Sequence, residues 1–190
     1  MDIQYAILGF LSWRPYAGYD LKKVISESEL FYWSGNNNQI YKCLVGLHSE
    51  GLVTQEIRIQ DSLPARKVYT ITAKGRDALR AWLLSSPELP EFRDNFLIQL
   101  AWSDPLSKGE MDELLARYEE EMDVQLRMRK ARTGLADPAP SRSPREAFLW
   151  AKIGESMIAA YQRELDWVRD LRKALQSENY QITGREAEKK

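Results

Sequence analysis

Hydrophobic residues along this chain change their spacing several times, and each change marks a predicted element of secondary structure. Two early blocks, at residues 3–13 and 19–28, carry apolar side chains every three or four positions, which is the spacing of amphipathic helices. A third block ends at Gly51, a residue type that readily takes the left-handed conformation at a helix end. The apolar stripe of this third helix consists of Ile40, Cys43, Leu44 and Leu47.

After this third helix the spacing falls to about two, which predicts a pair of strands. Alternating apolar residues lie on either side of a polar, proline-containing segment at residues 60–65. They are Val53, Ile57 and Ile59 before the segment and Tyr69 and Ile71 after it. A helix that leads directly into such a hairpin is the layout of a winged helix-turn-helix. In that layout the helix can enter a DNA major groove while the hairpin touches the flanking backbone.

The second half of the chain predicts helices. Thr72 is placed to cap a fourth helix that runs to Leu84. Prolines within residues 85–90 mark a domain boundary, and a short apolar helix follows at residues 95–102. Two long helices come next, each opened by a serine with a glutamate three residues later, which is the pattern of a capping box. The pairs are Ser107 with Glu110 and Ser143 with Glu146.

The long helices carry apolar seams that extend over several turns, as expected of an antiparallel pair that also packs against a partner. We expect the last helix, which runs to about Leu175, to form a two-fold homodimer. The predicted dimer contacts are Trp150, Met157, Tyr161, Leu165 and Val168. Basic residues at 127–132 close the first long helix; they suit the helix dipole, and a nucleic-acid contact is the alternative.

Together these elements predict a mainly α-helical fold with a small β-hairpin wing. An N-terminal winged helix-turn-helix is followed by a C-terminal dimerisation domain of two long antiparallel helices. The predicted boundaries are 1–84 for the DNA-binding domain, 85–106 for a linker with a short helix, 107–178 for the dimerisation domain and 179–190 for a disordered polar tail.

Short motifs follow one another in the first 84 residues. They read Ile7-Leu8-Gly9-Phe10-Leu11-Ser12, Gly18-Tyr19-Asp20-Leu21, Glu50-Gly51-Leu52-Val53 and Arg66-Lys67-Val68-Tyr69-Thr70-Ile71-Thr72. In this order they resemble the PadR-like transcriptional regulators. The resemblance implies a winged helix that binds an operator and a small-molecule effector that releases the DNA, with phenolic acids among the effectors of some relatives. Members often carry Lys or Arg where this chain has Val45 and Gly46, so its groove-facing surface is less basic.

Polar side chains at the start of the third helix and basic side chains on the hairpin are the predicted DNA contacts. The helix start approaches base edges in helix-turn-helix proteins, where Asn and Gln can pair with adenine and Lys can reach guanine or phosphate. Cations on the wing can hold phosphates without reading sequence. The predicted contacts are Asn37, Asn38, Gln39, Tyr41 and Lys42 on the helix and Arg58, Arg66 and Lys67 on the wing. A helix N-cap is the alternative role for one asparagine.

Aromatic residues are plentiful, with six tryptophans and nine tyrosines, and can stack on a planar effector. We expect such an effector near Trp82 and Trp102, on either side of the proline-rich boundary, because clefts between domains are common ligand sites. The aromatic connector at residues 30–35 either packs under the third helix or forms one wall of a ligand pocket.

Composition argues against several other classes of protein. The formal net charge of −1 is not that of a protein that coats nucleic acid by charge alone. A single cysteine, Cys43, and a single histidine, His48, argue against a disulfide, a zinc site and a nucleophile–base pair. Because the chain has neither a long apolar run nor a secretory start, we expect a cytoplasmic protein without a membrane partner. Because it also has no glycine-rich phosphate loop and no nucleophile-elbow pattern, we expect that it is not an enzyme and uses no cofactor.

These features predict a dimeric, sequence-specific DNA-binding transcriptional regulator. We expect a repressor that binds a palindromic operator in double-stranded DNA and that a small aromatic effector releases. The alternative is a winged-helix adaptor that binds proteins and does not bind DNA sequence-specifically. The near-neutral charge and the plain Val45 and Gly46 favour this alternative, and binding to duplex DNA discriminates between the two.

Overall fold

A computed structural model describes residues 3–27, 37–60, 63–89, 94–135 and 142–177. The elements are α1 (Ile3–Trp13), β1 (Tyr16–Ala17), α2 (Gly18–Glu27), α3 (Asn37–Ser49), β2 (Val53–Gln60), β3 (Leu63–Ile71), α4 (Ala73–Leu83), α5 (Asn95–Ala101), α6 (Lys108–Leu135) and α7 (Pro144–Gln176). The predicted mainly helical fold with a small antiparallel hairpin is confirmed. The predicted tail at 179–190 and the aromatic connector at 30–35 lie outside the described residues.

The chain folds as two compact units. The N-terminal unit comprises Met1–Pro90 and Pro140–Ala147, and the helical unit comprises Glu91–Ala139 and Phe148–Lys190. The first turn of α7 therefore packs with the N-terminal unit, although most of that helix belongs to the helical unit. The predicted boundaries at 84, 106 and 178 did not assign the first turn of α7 to the N-terminal unit. A contact between distant segments leaves no local pattern in the sequence.

Apolar faces of α1, α2 and α3 form the core of the N-terminal unit together with the inner side of the hairpin. Leu8 of α1, Leu21 of α2 and Leu44 of α3 are each 0% exposed. Full burial of one such side chain stabilises a fold by about 1.5–3 kcal/mol, so the stripe on α3 strongly fixes which way that helix faces. The remaining core residues are Ile3, Ile7, Phe10, Leu11, Tyr16, Ile25, Ile40, Leu47, Leu52, Val53, Tyr69 and Ile71.

The hairpin forms a sheet with a short strand that the sequence pattern did not predict. The strand order is β1-β3-β2, all antiparallel, and β1 places Tyr16 opposite Tyr69. Two residues are too few to show a periodicity, which is why β1 was missed. Ile57 and Ile59 lie on β2 beyond the edge of the core and are 60% and 87% exposed, so the alternating pattern there marks a strand without marking burial.

A network of hydrogen bonds joins the end of α3 to the start of α4. Gly51 takes φ 72°, the left-handed conformation predicted for a helix end. Thr72 caps α4, because its Oγ1 accepts a hydrogen bond from the Gly75 N–H at 3.0 Å. The same hydroxyl lies 2.8 Å from the Gly51 carbonyl oxygen, to which it donates. The cap and the glycine turn thereby stabilise each other.

In the helical unit α6 and α7 run antiparallel, since early residues of one contact late residues of the other. Arg172 donates through Nε to Asp112 Oδ1 at 2.6 Å and through Nη1 to Glu119 Oε2 at 3.1 Å. At the other end, Arg129 Nη2 donates to the Tyr161 hydroxyl at 3.1 Å. The buried core of this unit consists of Phe96 of α5, Leu115 and Leu126 of α6, and Leu165 and Val168 of α7.

Both long helices begin directly after their predicted serines, but only the first capping box is complete. Ser107 N–H donates to Glu110 Oε2 at 2.9 Å, and Glu110 N–H donates to Ser107 Oγ at 3.4 Å. At α7 the Glu146 N–H donates to Ser143 Oγ at 3.1 Å. The Glu146 carboxylate instead accepts from the Arg142 N–H at 2.6 Å and from the Trp13 indole at 3.0 Å.

Replacement of Gly75 by alanine should destabilise the protein. A methyl group at this position would overlap the Leu52 carbonyl oxygen and lie 2.8 Å from Ile71 Cγ1, and backbone cannot easily move aside. We expect a loss of about 1–3 kcal/mol in the free energy of unfolding, measured by urea denaturation. The matched control is Gly109→Ala, also in a first helical turn but with open space around it, which should be neutral or stabilise by up to about 1 kcal/mol. Equal effects of the two changes would contradict the packing described for Gly75.

The ion pairs between α6 and α7 should make stability depend on acid pH. Hydrogen bonds from Arg172, and then from Gln176, lower the pKa of Asp112 from 3.8 to about 2. A carboxylate whose pKa is depressed in the folded state stabilises the fold above its unfolded pKa, and this contribution is lost as pH falls toward 2.

We expect the thermal midpoint, measured at a series of pH values from 6 to 2, to decrease once the pH drops below about 4. The decrease should continue toward the folded-state pKa of Asp112, which is about 2. Arg172→Gln should flatten this fall, because it removes the main cause of the lowered pKa. Arg163→Gln, an exposed change on the same helix, should leave the wild-type profile intact. A profile for Arg172→Gln that matches the wild type would show that this ion pair does not contribute.

Candidate nucleic-acid interface

The outer face of α3 presents most of the residues predicted to contact DNA. Because Ile40, Leu44 and Leu47 are buried, the opposite face of the helix must point to solvent. The side chains exposed there are Asn38, Gln39, Tyr41, Lys42 and Val45. Asn37 is the first residue of α3, and its side chain lies outside the described residues.

Tyr41 is held close to the start of α2. A Cβ atom built on Gly18 would lie 2.9 Å from Tyr41 Cε1, so a larger residue here would require the ring to shift. Tyr41 and Tyr69 of β3 line the same cleft, and burial, and then the neighbouring Tyr41, raises the pKa of Tyr69. Tyr41 is nevertheless 43% exposed and remains available to a ligand. The sequence motif around Gly18 gave no sign of this contact, since its partner lies on another helix.

A cleft of about 520 Å³ lies between the outer face of α3 and the hairpin. Its walls come from the start of α2, from α3 and from β3. The lining residues that carry the chemistry are Asp20, Tyr41, Val45, Arg66, Lys67 and Tyr69. An open cleft lined by both cations and aromatic rings suits a polyanion with flat bases better than an apolar ligand.

The three basic residues predicted on the wing are exposed, but two of them have carboxylate neighbours. Arg58 Nη2 lies 3.2 Å from Glu56 Oε2 on the same strand. Arg66 Nη1 lies 3.9 Å from Asp20 Oδ2 of α2. Such solvent-exposed pairs contribute about 0–1 kcal/mol, so a phosphate can displace them. Lys67 has no carboxylate within ion-pair distance among the described residues.

The basic cluster at the end of α6 makes contacts inside the helical unit. Arg127 Nη2 lies 2.6 Å from Asp123 Oδ2, and Lys130 Nζ donates to Gln162 at 3.0 Å. The guanidinium of Arg129 lies 4.4 Å above the centre of the Tyr161 ring. These contacts favour the structural role of the cluster over the alternative of a second nucleic-acid site.

The residues predicted at the dimer interface differ in their burial. Trp150, Met157 and Tyr161 are half-buried, whereas Leu165 and Val168 are 1% and 0% exposed within the single chain. The last two therefore stabilise the helical unit itself, and a charge at either would disrupt that core first. Their role in an interface between chains stays a prediction.

The two tryptophans predicted to bind an effector lie in different units. Trp82 of α4 stacks on Tyr5 of α1 with ring centroids 4.7 Å apart, and it remains 44% exposed. Trp102 caps the C-terminus of α5 and is 80% exposed. Both rings can accept a stacking partner, and their assignment to an effector site stays a prediction.

Groups that would indicate another kind of site do not come together in the described part of the chain. His48 is exposed near the end of α3, and no cluster of three metal-ligating side chains is present there. In the same described residues no helix is long and apolar enough to cross a membrane.

Comparison with protein families finds a match for each unit. Residues 7–81 match the model of the transcriptional regulator PadR-like family. Over these residues the chain is similar to the PadR-like family. Residues 92–176 match a second model, described as virulence activator alpha C-term.

The negative transcriptional regulator PadR of Bacillus subtilis is 34% identical over 113 residues, which are 59% of this chain and 62% of that protein. The chain thus matches less than two thirds of that relative's length. The structure of Bacillus subtilis PadR in complex with operator DNA superposes with a TM-score of 0.80 at 24% identity, covering 91% of this chain and 98% of that one. The same protein in complex with p-coumaric acid gives a TM-score of 0.72 at 24% identity, with coverages of 92% and 95%. At such identity these superpositions show a shared fold.

Proposed function

We propose that this PadR-like protein is a dimeric, sequence-specific DNA-binding transcriptional regulator that acts as a repressor. The observation that carries the proposal is the outer face of α3, where Gln39, Tyr41 and Lys42 lie exposed beside a basic hairpin. The relative solved with operator DNA has the same fold and supports this reading. The proposal assigns no catalytic activity to the chain.

In this proposal α3 enters the major groove and the hairpin lies along the flanking backbone. Asn38 and Gln39 near the start of α3 have the amide groups that pair with adenine, and Lys42 can reach guanine or phosphate. Val45, which is 65% exposed, can contact the methyl group of thymine. Lys67 binds phosphate and positions the helix without reading sequence.

A homodimer follows from the apolar side chains that remain exposed on the helical unit of a single chain. They include Ile98, Val124, Met128, Phe148, Leu149 and Trp167. Burial of such side chains against a second copy of the chain would remove them from water, which favours association. Two recognition helices related by a two-fold axis would contact successive major grooves, so the operator is a palindrome with half-sites about ten base pairs apart.

A small aromatic acid is the proposed effector, because the Bacillus subtilis relative has been solved in complex with p-coumaric acid. Trp82 and Trp102 each expose an indole that can stack on such a molecule, at 44% and 80% exposure. Binding of the effector would favour the conformation with low affinity for DNA, which is how a repressor is released.

A protein-interaction adaptor is the second candidate function. The exposed Val45 in the middle of the recognition face favours it, since most groove-facing helices carry polar or basic residues there. In this alternative α3 would bind an apolar surface of another protein. The two candidates differ in whether the chain binds duplex DNA from its own upstream region better than scrambled DNA.

Binding of fluorescein-labelled duplexes, followed by anisotropy over a series of salt concentrations, tests the proposed function. Gln39→Ala should cost about 1–3 kcal/mol on operator DNA and little on scrambled DNA, with a nearly unchanged salt slope. Lys67→Ala should weaken binding to both duplexes and make the slope shallower by about one unit. Identical behaviour of the two variants would remove the assignment of roles. Failure of the wild-type chain to prefer any upstream duplex would favour the adaptor.

Asp20→Asn should strengthen DNA binding without changing its specificity. The carboxylate of Asp20 lies 3.9 Å from Arg66 and lines the cleft beside α3, where it would repel phosphates. We expect affinity for both operator and scrambled duplexes to rise about two- to fivefold at low salt and the gain to shrink at high salt. The control is Asp77→Asn on α4, outside the cleft, which should change neither. Unchanged affinity for Asp20→Asn would mean that Arg66 and Asp20 lie away from the DNA.

A further inference from the structure

A pocket of about 340 Å³ opens on the N-terminal unit where α1 leads through β1 into α2. It is distinct from the cleft between α3 and the hairpin, although Asp20 lines both. None of the residues predicted from the sequence to contact DNA lines this pocket. We call it the Arg14 pocket, and its lining residues are Arg14, Pro15, Tyr16, Asp20, Lys23 and Val24.

Two cations determine the charge of the Arg14 pocket. Arg14 and Lys23 are both exposed, and Asp20 is the carboxylate among the described lining residues. The pocket therefore has one positive charge in excess. A guanidinium can bind a phosphate through two parallel N–H donors, and a lysine binds the same group as a point charge. This combination of side chains suits a phosphate group.

The ring of Tyr16 orients Arg14. Arg14 Cζ lies 4.7 Å from the centre of this ring. Tyr16 itself is 4% exposed and belongs to the hydrophobic core, so the ring is a fixed support. Such a cation–π contact contributes about 0.5–1 kcal/mol at an exposed site. It leaves donors at the edge of the guanidinium for a phosphate, and an arginine that is already oriented loses less entropy on binding.

Pairing of β1 with β3 places the Arg14 pocket next to the cleft between α3 and the hairpin. Tyr16, which lines the pocket, lies opposite Tyr69, which lines the cleft. Residues opposite each other in antiparallel strands point to the same face of the sheet, with Cβ atoms about 4.5–5.5 Å apart. Asp20 also lines both openings. The two openings are therefore neighbours on the N-terminal unit.

Cations predominate along these neighbouring openings. Their described lining residues include Arg14, Lys23, Arg66 and Lys67, and Asp20 is the carboxylate among them. The whole chain, by contrast, has a formal net charge of −1. Each strand of a DNA duplex carries one phosphate for about every 3.4 Å of helix axis. Such a series of phosphates matches a run of cations better than a single small anion does.

We propose that Arg14 and Lys23 form a second phosphate site on the N-terminal unit, which binds the DNA backbone beside the stretch held by Arg66 and Lys67. The proposal rests on the proposed function, because its ligand is duplex DNA. All the contacts that carry it lie within the N-terminal unit. Since phosphates carry no sequence information, the site adds affinity without adding specificity.

The experiment measures binding of the full-length chain to fluorescein-labelled upstream and scrambled duplexes by anisotropy over a series of salt concentrations. The variants are Arg14→Ala and Lys23→Ala. The matched control is Arg76→Ala, which removes the same charge from an exposed position on α4 that lines neither opening.

Arg14→Ala and Lys23→Ala should each bind both duplexes about three- to tenfold more weakly at low salt, and each should make the salt slope shallower by about one unit. Arg76→Ala should match the wild type in affinity and slope. A change that merely destabilised the fold would lower affinity and leave the slope unchanged, and that result would overturn the proposal.

Neutral methylphosphonate groups locate the contact on the DNA. One such group replaces a single phosphate and is moved stepwise along the upstream duplex. At about one or two positions the wild type should bind as weakly as Arg14→Ala, and Arg14→Ala should not respond to the replacement there. Lys67→Ala should be insensitive at a different position nearby. The absence of any position that removes the difference between wild type and Arg14→Ala would contradict a phosphate contact.

Inorganic phosphate, compared with chloride at equal ionic strength, distinguishes a site for the free anion. It should weaken duplex binding by the wild type and by Arg14→Ala to the same degree. A loss confined to the wild type would assign the pocket to free phosphate and overturn the proposal.

Failure of this inference is distinguishable from failure of the proposed function. A wild type that prefers the upstream duplex, together with Arg14→Ala and Lys23→Ala variants that match Arg76→Ala, would overturn the second phosphate site alone. A wild type that prefers no duplex would remove the proposed function and the phosphate site with it.

Discussion

Burial of the apolar stripe of α3 is the constraint on which the rest of the structure depends. Ile40, Leu44 and Leu47 are at most 2% exposed, and together they face α1, α2 and the base of the hairpin. Each contributes about 1.5–3 kcal/mol, so rotating the helix to another face is far more costly than any change in surface contacts. The same burial leaves Gln39 and Tyr41 on the outside, and packing of the core thus determines the surface offered to a partner.

Electrostatic attraction is less concentrated here than in many nucleic-acid-binding proteins. The net charge is −1, and the wing arginines Arg58 and Arg66 each have a carboxylate within 4 Å. Under the proposed function, long-range attraction to DNA is therefore modest, and the shape of α3 and its directional amide groups contribute more of the specificity. Because the net charge is close to zero, charge alone did not exclude the alternative in which the chain is a protein-interaction adaptor.

Local patterns allowed much of the fold to be predicted, whereas contacts between distant segments were not predictable. The stripe on α3, the cap at Thr72 and the glycine turn at Gly51 each depend on residues within a few positions of one another. The approach of Tyr41 to Gly18 and the bond from Trp13 to Glu146 join separate elements and leave no periodic signal. Apolar spacing likewise could not distinguish the chain's own core from an interface between chains: Leu165 and Val168, predicted as dimer contacts, are buried within the single chain.

The claim that the outer face of α3 contacts bases is tested most directly by NMR of side-chain amide groups. The side-chain NH₂ resonances of Gln39 should shift when duplex DNA from the gene's own upstream region is added, and should stay in place with a scrambled duplex. The internal reference is Gln125 of α6, whose amide donates to Glu121 at 3.0 Å and should not move with either duplex. Unchanged Gln39 resonances at saturating upstream DNA would contradict the assignment of α3 as the helix that reads sequence.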